Sequence, residues 1–299
     1  MTRPLRIEFP GAVYHVTSRG DRQEPIFRDD TDRQRLLDVV DRAMARLNAQ
    51  AFAFCLMGNH YHFVIRTRQA NLSRLMRQIN GEYTRAFNRR HQVTGHLFQG
   101  RFHAVLVDSD AYLIEACRYV ELNPVRACLV DRADEWAWCS YRAHVGLEHG
   151  PVWLATADLH GHLLGHDIST DADRRCAESL YSASVGCGIG VALWSEHLRG
   201  QIYLGSADFM SEMKARAAAQ RLACTEIAKV QRVFPSNLAE WLAPDRTREE
   251  AFRQAYSIGG LTMGEIARQA AMSISAVSRM IASAEEARQS GPDTAKLKT

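Results

Sequence analysis

No Cys-x-x-Cys pair occurs anywhere in the 299 residues. The seven cysteines (Cys55, Cys117, Cys128, Cys139, Cys176, Cys187 and Cys224) are scattered and odd in number. That fits reduced thiols in a cytoplasm better than a disulfide framework or a zinc cluster. No apolar run is long enough to cross a bilayer, and no leader with a basic start and an apolar stretch is evident. A cytoplasmic, nucleoid-associated protein with no membrane partner is therefore expected. Internal repeats at solenoid or propeller periods are missing too. Overall charge is slight: the formal value of +3 is too small to indicate a nucleic-acid partner by itself. What remains is a chain that can bury a substantial core, with room for two or three domains.

One local shortage is informative. From Arg66 to Arg101 the single acid Glu82 stands against Arg66, Arg68, Arg74, Arg77, Arg85, Arg89, Arg90 and Arg101. Charged residues usually form a solvated helix face, but here compensating acids are lacking. The stretch reads as a broad basic surface, with Arg77 and Arg85 on different helix faces, that contacts phosphates in a salt-dependent way. Arg66, Arg74, Arg77, Arg85 and Arg101 are the candidate DNA contacts.

Within the same region, Gly58-Asn59-His60-Tyr61-His62-Phe63-Val64-Ile65 is a run of strand formers. Alternation along a strand sends His60 and His62 to one face and Tyr61, Phe63 and Ile65 to the other, which reads as core. Two imidazoles so placed can hold one divalent cation. The spacing also fits a strand with two half-exposed histidines, because a third ligand has to come from elsewhere.

That ligand is sought in Cys117-Arg118-Tyr119-Val120-Glu121-Leu122-Asn123-Pro124-Val125-Arg126. The residues from Asp110 onward have helical apolar spacing, and Pro124 is expected to end the helix. Tyr119 and Asn123 are four apart and share a face. A helix packed over the histidine strand brings a carboxamide and a phenol to one cation, as phosphoryl transfer by a tyrosine nucleophile requires. Tyr61 points the wrong way for that role, and Tyr112 is the local rival.

The histidine strand, Arg-Tyr-Val-Glu-Leu-Asn-Pro-Val-Arg-Ala (118–127), Gly-His-Leu-Phe-Gln-Gly-Arg-Phe (95–102) and the initial Pro-Gly-Ala-Val-Tyr-His-Val-Thr-Ser-Arg-Gly (10–20) resemble the single-tyrosine HUH transposases. Within them the chain looks most like the REP-associated tyrosine transposases. The resemblance covers about the first half of the chain. It implies an RRM-like (ferredoxin-like) palm with the metal site on the open sheet face. It also implies Mg²⁺ or Mn²⁺ held by His60, His62 and Asn123, and cleavage of single-stranded DNA hairpins through a 5′-phosphotyrosine link. Tyr119 matches the family's nucleophile position.

Apolar spacing predicts a first strand over Ala12–Ser18 and helices over Thr31–Leu47 and Leu72–Asn88, with Phe52–Met57 leading into the histidine strand. The class is α+β, one antiparallel sheet backed by helices and followed by an all-α region. In 95–102, Phe98 and Phe102 are expected to pack inward and Arg101 to face phosphate. Trp136, Trp138 and Tyr141 are read as core. Gly161–Asp167 and Gly186–Gly190 look loop-like, and His160, His162 and His166 belong to a polar loop rather than a ligand set.

Near the end, Thr262-Met263-Gly264-Glu265 is a capping box, and Val277, Met280 and Ile281 form an apolar stripe. With a first helix over Arg248–Ile258 stopped by Gly259-Gly260, this predicts a helix-turn-helix similar to the DNA-binding end of DnaA. Ser275, Ala276, Ser278 and Arg279 would face duplex DNA. An ordinary helical hairpin is the alternative. Ala271 stands in the turn where glycine is common. The expected division is a transposase domain over 1–145, a connecting extension over 146–210, a helical domain over 211–287 and a disordered tail over 288–299.

Rival functions are a DNA-binding regulator without catalysis, a small-molecule metal hydrolase, and an HUH replication initiator. The first conflicts with the intact His60, His62, Tyr119 and Asn123. The second has little use for the arginines, and the third lacks paired tyrosines or a helicase region. A monomer or weak homodimer is expected.

Overall fold

Residues Val13–Arg19 form β1, where Val13, His15 and Thr17 alternate with Tyr14, Val16 and Ser18, so the two faces of the strand differ in chemistry from the outset. A computed structural model describes residues 7–189, 198–199, 202–216, 218, 238–242, 247–257 and 261–289. The chain divides into two units, Met1–Ala217 and Ala218–Thr299.

In the first unit β1 leads through α1 (Asp30–Leu47) to β2 (Ala49–Leu56) and β3 (His60–Thr67). Helix α2 (Leu72–His91) then leads to β4 (His103–Val107). The sheet order is β2-β3-β1-β4, extended beyond β4 by two short strands, Tyr203–Leu204 and Leu198–Arg199. All pairings within the first four strands are antiparallel. Two interleaved strand–helix–strand units of this kind make the ferredoxin-like sandwich that the resemblance implied. Strand β4 was not foreseen. It has five residues and follows a glycine-bearing loop, too little pattern to be recognised alone.

Helices α1 and α2 lie on the face of Tyr14, Val16, Tyr61, Phe63 and Ile65, burying Leu36, Val40, Met44, Leu75, Ile79 and Tyr83 there. Asp29 caps α1 by accepting from the Asp32 amide. Phe98 and Phe102 join this core, as expected. The opposite face carries the histidines, and it is not open. Val13, Val64, Val105 and Val107 surround them with apolar surface that must be covered. The cover is α3 (Ser109–Glu121), through Leu113, Ala116, Cys117 and Val120, together with Tyr141, Leu159, Tyr181 and Val185. A bulge between Ala51 and Ala53 places Phe52 on this face.

After α3 come α4 (Asn123–Arg126), α5 (Tyr141–His144), α6 (Thr156–Leu164), α7 (Asp171–Gly186) and α8 (207–216). Gly161, expected in a loop, sits inside α6, which ends instead at left-handed Gly165. His160 is likewise helical and buried rather than part of a polar loop. Trp136 and Trp138 pack at the edges of the two cores, with the Trp136 indole donating to the Leu56 carbonyl (3.2 Å). Trp153, Leu154, Leu159, Tyr181 and Leu204, from the stretch expected to be a connector, are all buried in the cores of the first unit.

The second unit contains α9 (Arg248–Ser257), α10 (Met263–Gln269) and α11 (Ile274–Gln289). Its core gathers Ala251, Phe252, Ala255, Ile266, Ala267, Val277 and Ile281 with Leu238 and Trp241. Thr262 and Glu265 form the reciprocal capping box. Gly259 and Gly260 lie outside the described residues, as do 290–299 of the expected tail. No described helix is long and apolar enough to cross a membrane.

Candidate active site

Cross-strand register aligns the polar residues of the covered face. Thr17 faces His62 on one side and His103 on the other, while Arg19 faces His60. His60 and His62 project from the same face of β3, with ring centroids 4.9 Å apart. Each has one nitrogen occupied by a neighbour. His60 Nδ1–H donates to Asn59 Oδ1 (2.6 Å), which leaves Nε2 of His60 with its lone pair. His62 Nδ1 lies 2.9 Å from His15 Nε2 and 3.0 Å from Thr17 Oγ1. Nε2 of His62 is buried and has no hydrogen-bond partner.

Burial keeps these imidazoles neutral. It lowers His60 to about 4, helped by the Arg19 guanidinium. It holds His62 well below the usual histidine range, aided by His15, His60 and Arg19, and it takes His15 to about 3, with His103 adding to the effect. A neutral imidazole with a fixed Nδ1 and a free Nε2 is the form that binds a metal ion.

Helix α3 brings Tyr119 onto His62 and His15. The phenol ring meets His15 edge-on at 5.7 Å between centroids and His62 at 6.2 Å. Arg126 lies over the Tyr119 ring at 5.1 Å, so a cation faces the phenol. Pro124 does not simply end the helix. It occupies the first turn of α4, and Leu122 remains helical between the two elements. Winding therefore continues, and Asn123 Nδ2 donates to the Tyr119 carbonyl (2.7 Å). The Asn123 oxygen has no hydrogen bond among the described residues and is the atom available as a ligand.

No cluster of three His, Cys, Asp or Glu side chains suited to a metal ion exists among the described residues. A cation here would rest on two imidazoles and one carboxamide. The orphaned buried Nε2 of His62 favours a cation there, because a buried lone pair left empty is costly.

His15, Thr17, Asn59 and Arg126 were not singled out from the sequence. His15 shares its strand face with Val13 and Thr17, and only the pairing of β1 with β3 gives it a role.

The arginines are arranged differently from expectation. Arg74, Arg77, Arg85 and Arg89 are all exposed on α2, opposite its buried Leu75, Ile79 and Tyr83. At 100° per residue they span about 120°, a single face rather than several. Because α2 packs against Tyr61 and Phe63, that face lies across the sheet from Tyr119 and not beside it. Arg66 is on the histidine side, but it is salt-bridged to Asp158 and lies over the Phe52 ring at 4.9 Å. Arg101 is exposed in the 95–102 loop, which reaches the site edge where Gln99 N donates to the Arg19 carbonyl (2.8 Å). In the second unit Ser275, Ser278 and Arg279 are exposed on α11, and Ala276 is half-buried.

Residues 9–123 match the family model described as "Transposase IS200 like". Among solved structures, "Structure of the REP associates tyrosine transposase bound to a REP hairpin" is similar at 18% identity and a TM-score of 0.44, covering 52% of this chain and 92% of that one. A protein of Deinococcus radiodurans R1, described provisionally as a transposase, is similar at 15% identity and a TM-score of 0.29, covering 40% of this chain and 96% of that one. No curated protein sequence matches the chain.

Proposed function

With an IS200-like transposase domain over residues 9–123 as the premise, we propose that this protein cleaves and rejoins single-stranded DNA at REP-like hairpins through a 5′-phosphotyrosine intermediate. The observation that supports it is the Tyr119 ring resting on His62, a candidate ligand, and on His15 beside it.

Tyr119 Oη attacks the scissile phosphorus, the bond to the 3′-oxygen breaks, and the 3′-hydroxyl leaves with a proton. The tyrosyl phosphodiester conserves the bond energy, so attack by another 3′-hydroxyl rejoins strands and restores the phenol. A divalent cation on His60, His62 and Asn123 would neutralise charge on the phosphate and the leaving oxygen. Two imidazole nitrogens and one amide oxygen suit Mn²⁺ better than Mg²⁺, which prefers oxygen ligands. Arg101 and the α2 arginines Arg74, Arg77 and Arg85 would hold flanking phosphates, and Ser275, Ser278 and Arg279 would contact duplex DNA from the second unit.

The test is incubation with 5′- and 3′-labelled hairpins from the flanks of its own gene, with Mn²⁺, Mg²⁺ or EDTA, beside Tyr119→Phe. A metal-dependent covalent adduct that the variant lacks, formed faster with Mn²⁺, is the expected result. Tight hairpin binding with no adduct under any metal would leave a DNA-binding regulator instead.

A further inference from the structure

Glu121 ends α3 two residues beyond Tyr119 and is completely buried. A carboxylate taken out of water needs partners, and it has three. Ser140 Oγ donates to Oε1 (2.5 Å) and the Tyr181 hydroxyl donates to Oε2 (2.8 Å). His144 Nδ1 lies 2.7 Å from Oε1, close enough for an ion pair though not aligned as a linear hydrogen bond.

These partners are anchored in turn. Ser140 N donates to the Phe54 carbonyl (3.0 Å) and Ser140 Oγ accepts from Phe54 N (2.9 Å), so this arm of the cluster is tied to β2. His144 is fully buried in α5, and its carbonyl accepts from His160 Nε2 of α6 (2.9 Å). Tyr181 belongs to α7. One carboxylate therefore joins the nucleophile helix to edge strand β2, through Ser140, and to α5 and α7.

Positions two apart on a helix point about 200° from one another, so Glu121 faces away from the side of α3 that carries Tyr119. It cannot meet DNA or a cation at the histidines, and the chemistry proposed above makes no use of it. Apolar contacts from Leu113, Ala116 and Val120 bury α3, but such contacts tolerate sliding and rotation. A carboxylate with fixed donors on separate elements does not. Ser140, His144 and Tyr181 also lie outside the segment matched by the transposase family.

We propose that Glu121 is a positioning residue, and that residues 140–186 form a brace which, through Ser140, His144 and Tyr181, sets the rotation and height of α3 so that Tyr119 is held against His62 and His15. The proposal rests on the cleavage reading. It assigns a role to a stretch that has no motif of its own.

The experiment measures single-turnover adduct formation and hairpin affinity for Glu121→Ala, Glu121→Gln, Tyr181→Phe and Leu36→Ala. The last removes core volume from α1 on the far side of the sheet and serves as the control for lost stability. Misplacing the nucleophile by about 1 Å slows attack on the order of 10²-fold, so Glu121→Ala is expected to lose that much rate with hairpin affinity changed by less than about twofold. Glu121→Gln keeps an oxygen for Tyr181 and is expected to recover part of the rate. Tyr181→Phe keeps the packing, loses one donor and is expected to slow adduct formation about tenfold. It carries the test if Glu121→Ala does not fold. Leu36→Ala is expected to lower Tm without slowing the adduct. If Leu36→Ala slows the adduct as much per degree of Tm, or if the Glu121 and Tyr181 variants keep the wild-type rate, the positioning role is wrong. A wild-type protein that binds hairpins but forms no adduct would instead overturn the cleavage reading, and this proposal with it.

Discussion

His62 Nδ1 stands 2.9 Å from Nε2 of His15, one buried imidazole holding another across the β1–β3 pair. The contact fixes the ring of the candidate ligand, whose buried Nε2 is left without a hydrogen bond. Outer-shell partners of this kind typically change metal affinity or activity by about 10- to 100-fold. His15→Ala is expected to weaken Mn²⁺ binding, followed by calorimetry, and to slow adduct formation within that range while hairpin affinity stays put. Unchanged Mn²⁺ affinity in a folded His15→Ala protein would mean that His62 needs no such support.

How much of this was legible in the sequence depends on the range of each interaction. That His60 and His62 share a strand face, and that Tyr119 and Asn123 meet across one helical turn, was readable because strand alternation and helical spacing are local. The same holds for α1 and α2, whose apolar residues recur every three or four positions. His15 was not readable, because its role comes from a partner 47 residues away. Glu121 looked like any helical acid until Tyr181, 60 residues on, donated to it. Arg66 was assigned to DNA for want of knowing that Asp158 lies beside it. The sidedness of the α2 arginines was within reach: Tyr61, Phe63 and Ile65 already marked the face that a helix would cover, and α2 covers it.

That sidedness separates binding from chemistry. Arg74, Arg77, Arg85 and Arg89 are exposed on the side of the sheet away from Tyr119. On the proposed reading, phosphates held there would belong to DNA flanking the cleavage point, and each neutralised phosphate adds about 0.7–0.9 to the salt slope. The double variant Arg85→Ala/Arg89→Ala is expected to bind hairpins more weakly and with a shallower dependence on log salt. Its single-turnover rate at saturating DNA should match wild type. A loss of rate at saturation with unchanged affinity would place these residues in the chemistry instead.

A second cluster ties the start of α1 to the end of α2. Asp32 is buried, and although burial alone would raise it, hydrogen bonds from the Arg28 amide, His91 and Arg90 hold it below its ordinary 3.8. Neighbouring Asp29 is lowered to about 2, chiefly by Arg90. Because the folded values lie below the unfolded ones, this stabilisation is present above about pH 4 and disappears as the pH falls toward 2. Losing charged hydrogen bonds at a buried site costs about 1–3 kcal/mol, the expected penalty of Asp32→Asn at pH 7. Urea unfolding of both proteins should show the gap closing as the pH falls below about 4. A gap that stays constant with pH would show that Asp32 contributes through packing and not through charge.

In the second unit, Ala271 adopts φ +53° in the turn between α10 and α11. A side chain in the left-handed region brings Cβ close to the carbonyl oxygen and costs roughly 1–2 kcal/mol, whereas glycine occupies it freely. Glycine also loses more backbone entropy on folding, which offsets part of the gain. Ala271 is exposed, so its methyl group adds little packing that a glycine would forfeit. The balance favours Ala271→Gly by about 0.5–1 kcal/mol, a rise of a few degrees in the melting of this unit, measured by calorimetry of the full chain. Ser275, Ser278 and Arg279 begin only a few residues later on α11, so the same variant also tests the helix-turn-helix reading. If α11 lies in the major groove, tightening its turn without touching its exposed side chains should leave duplex affinity equal or higher. If affinity falls while stability rises, the left-handed alanine is holding α11 at an angle that binding requires, and the strain belongs to the DNA contact rather than to chance.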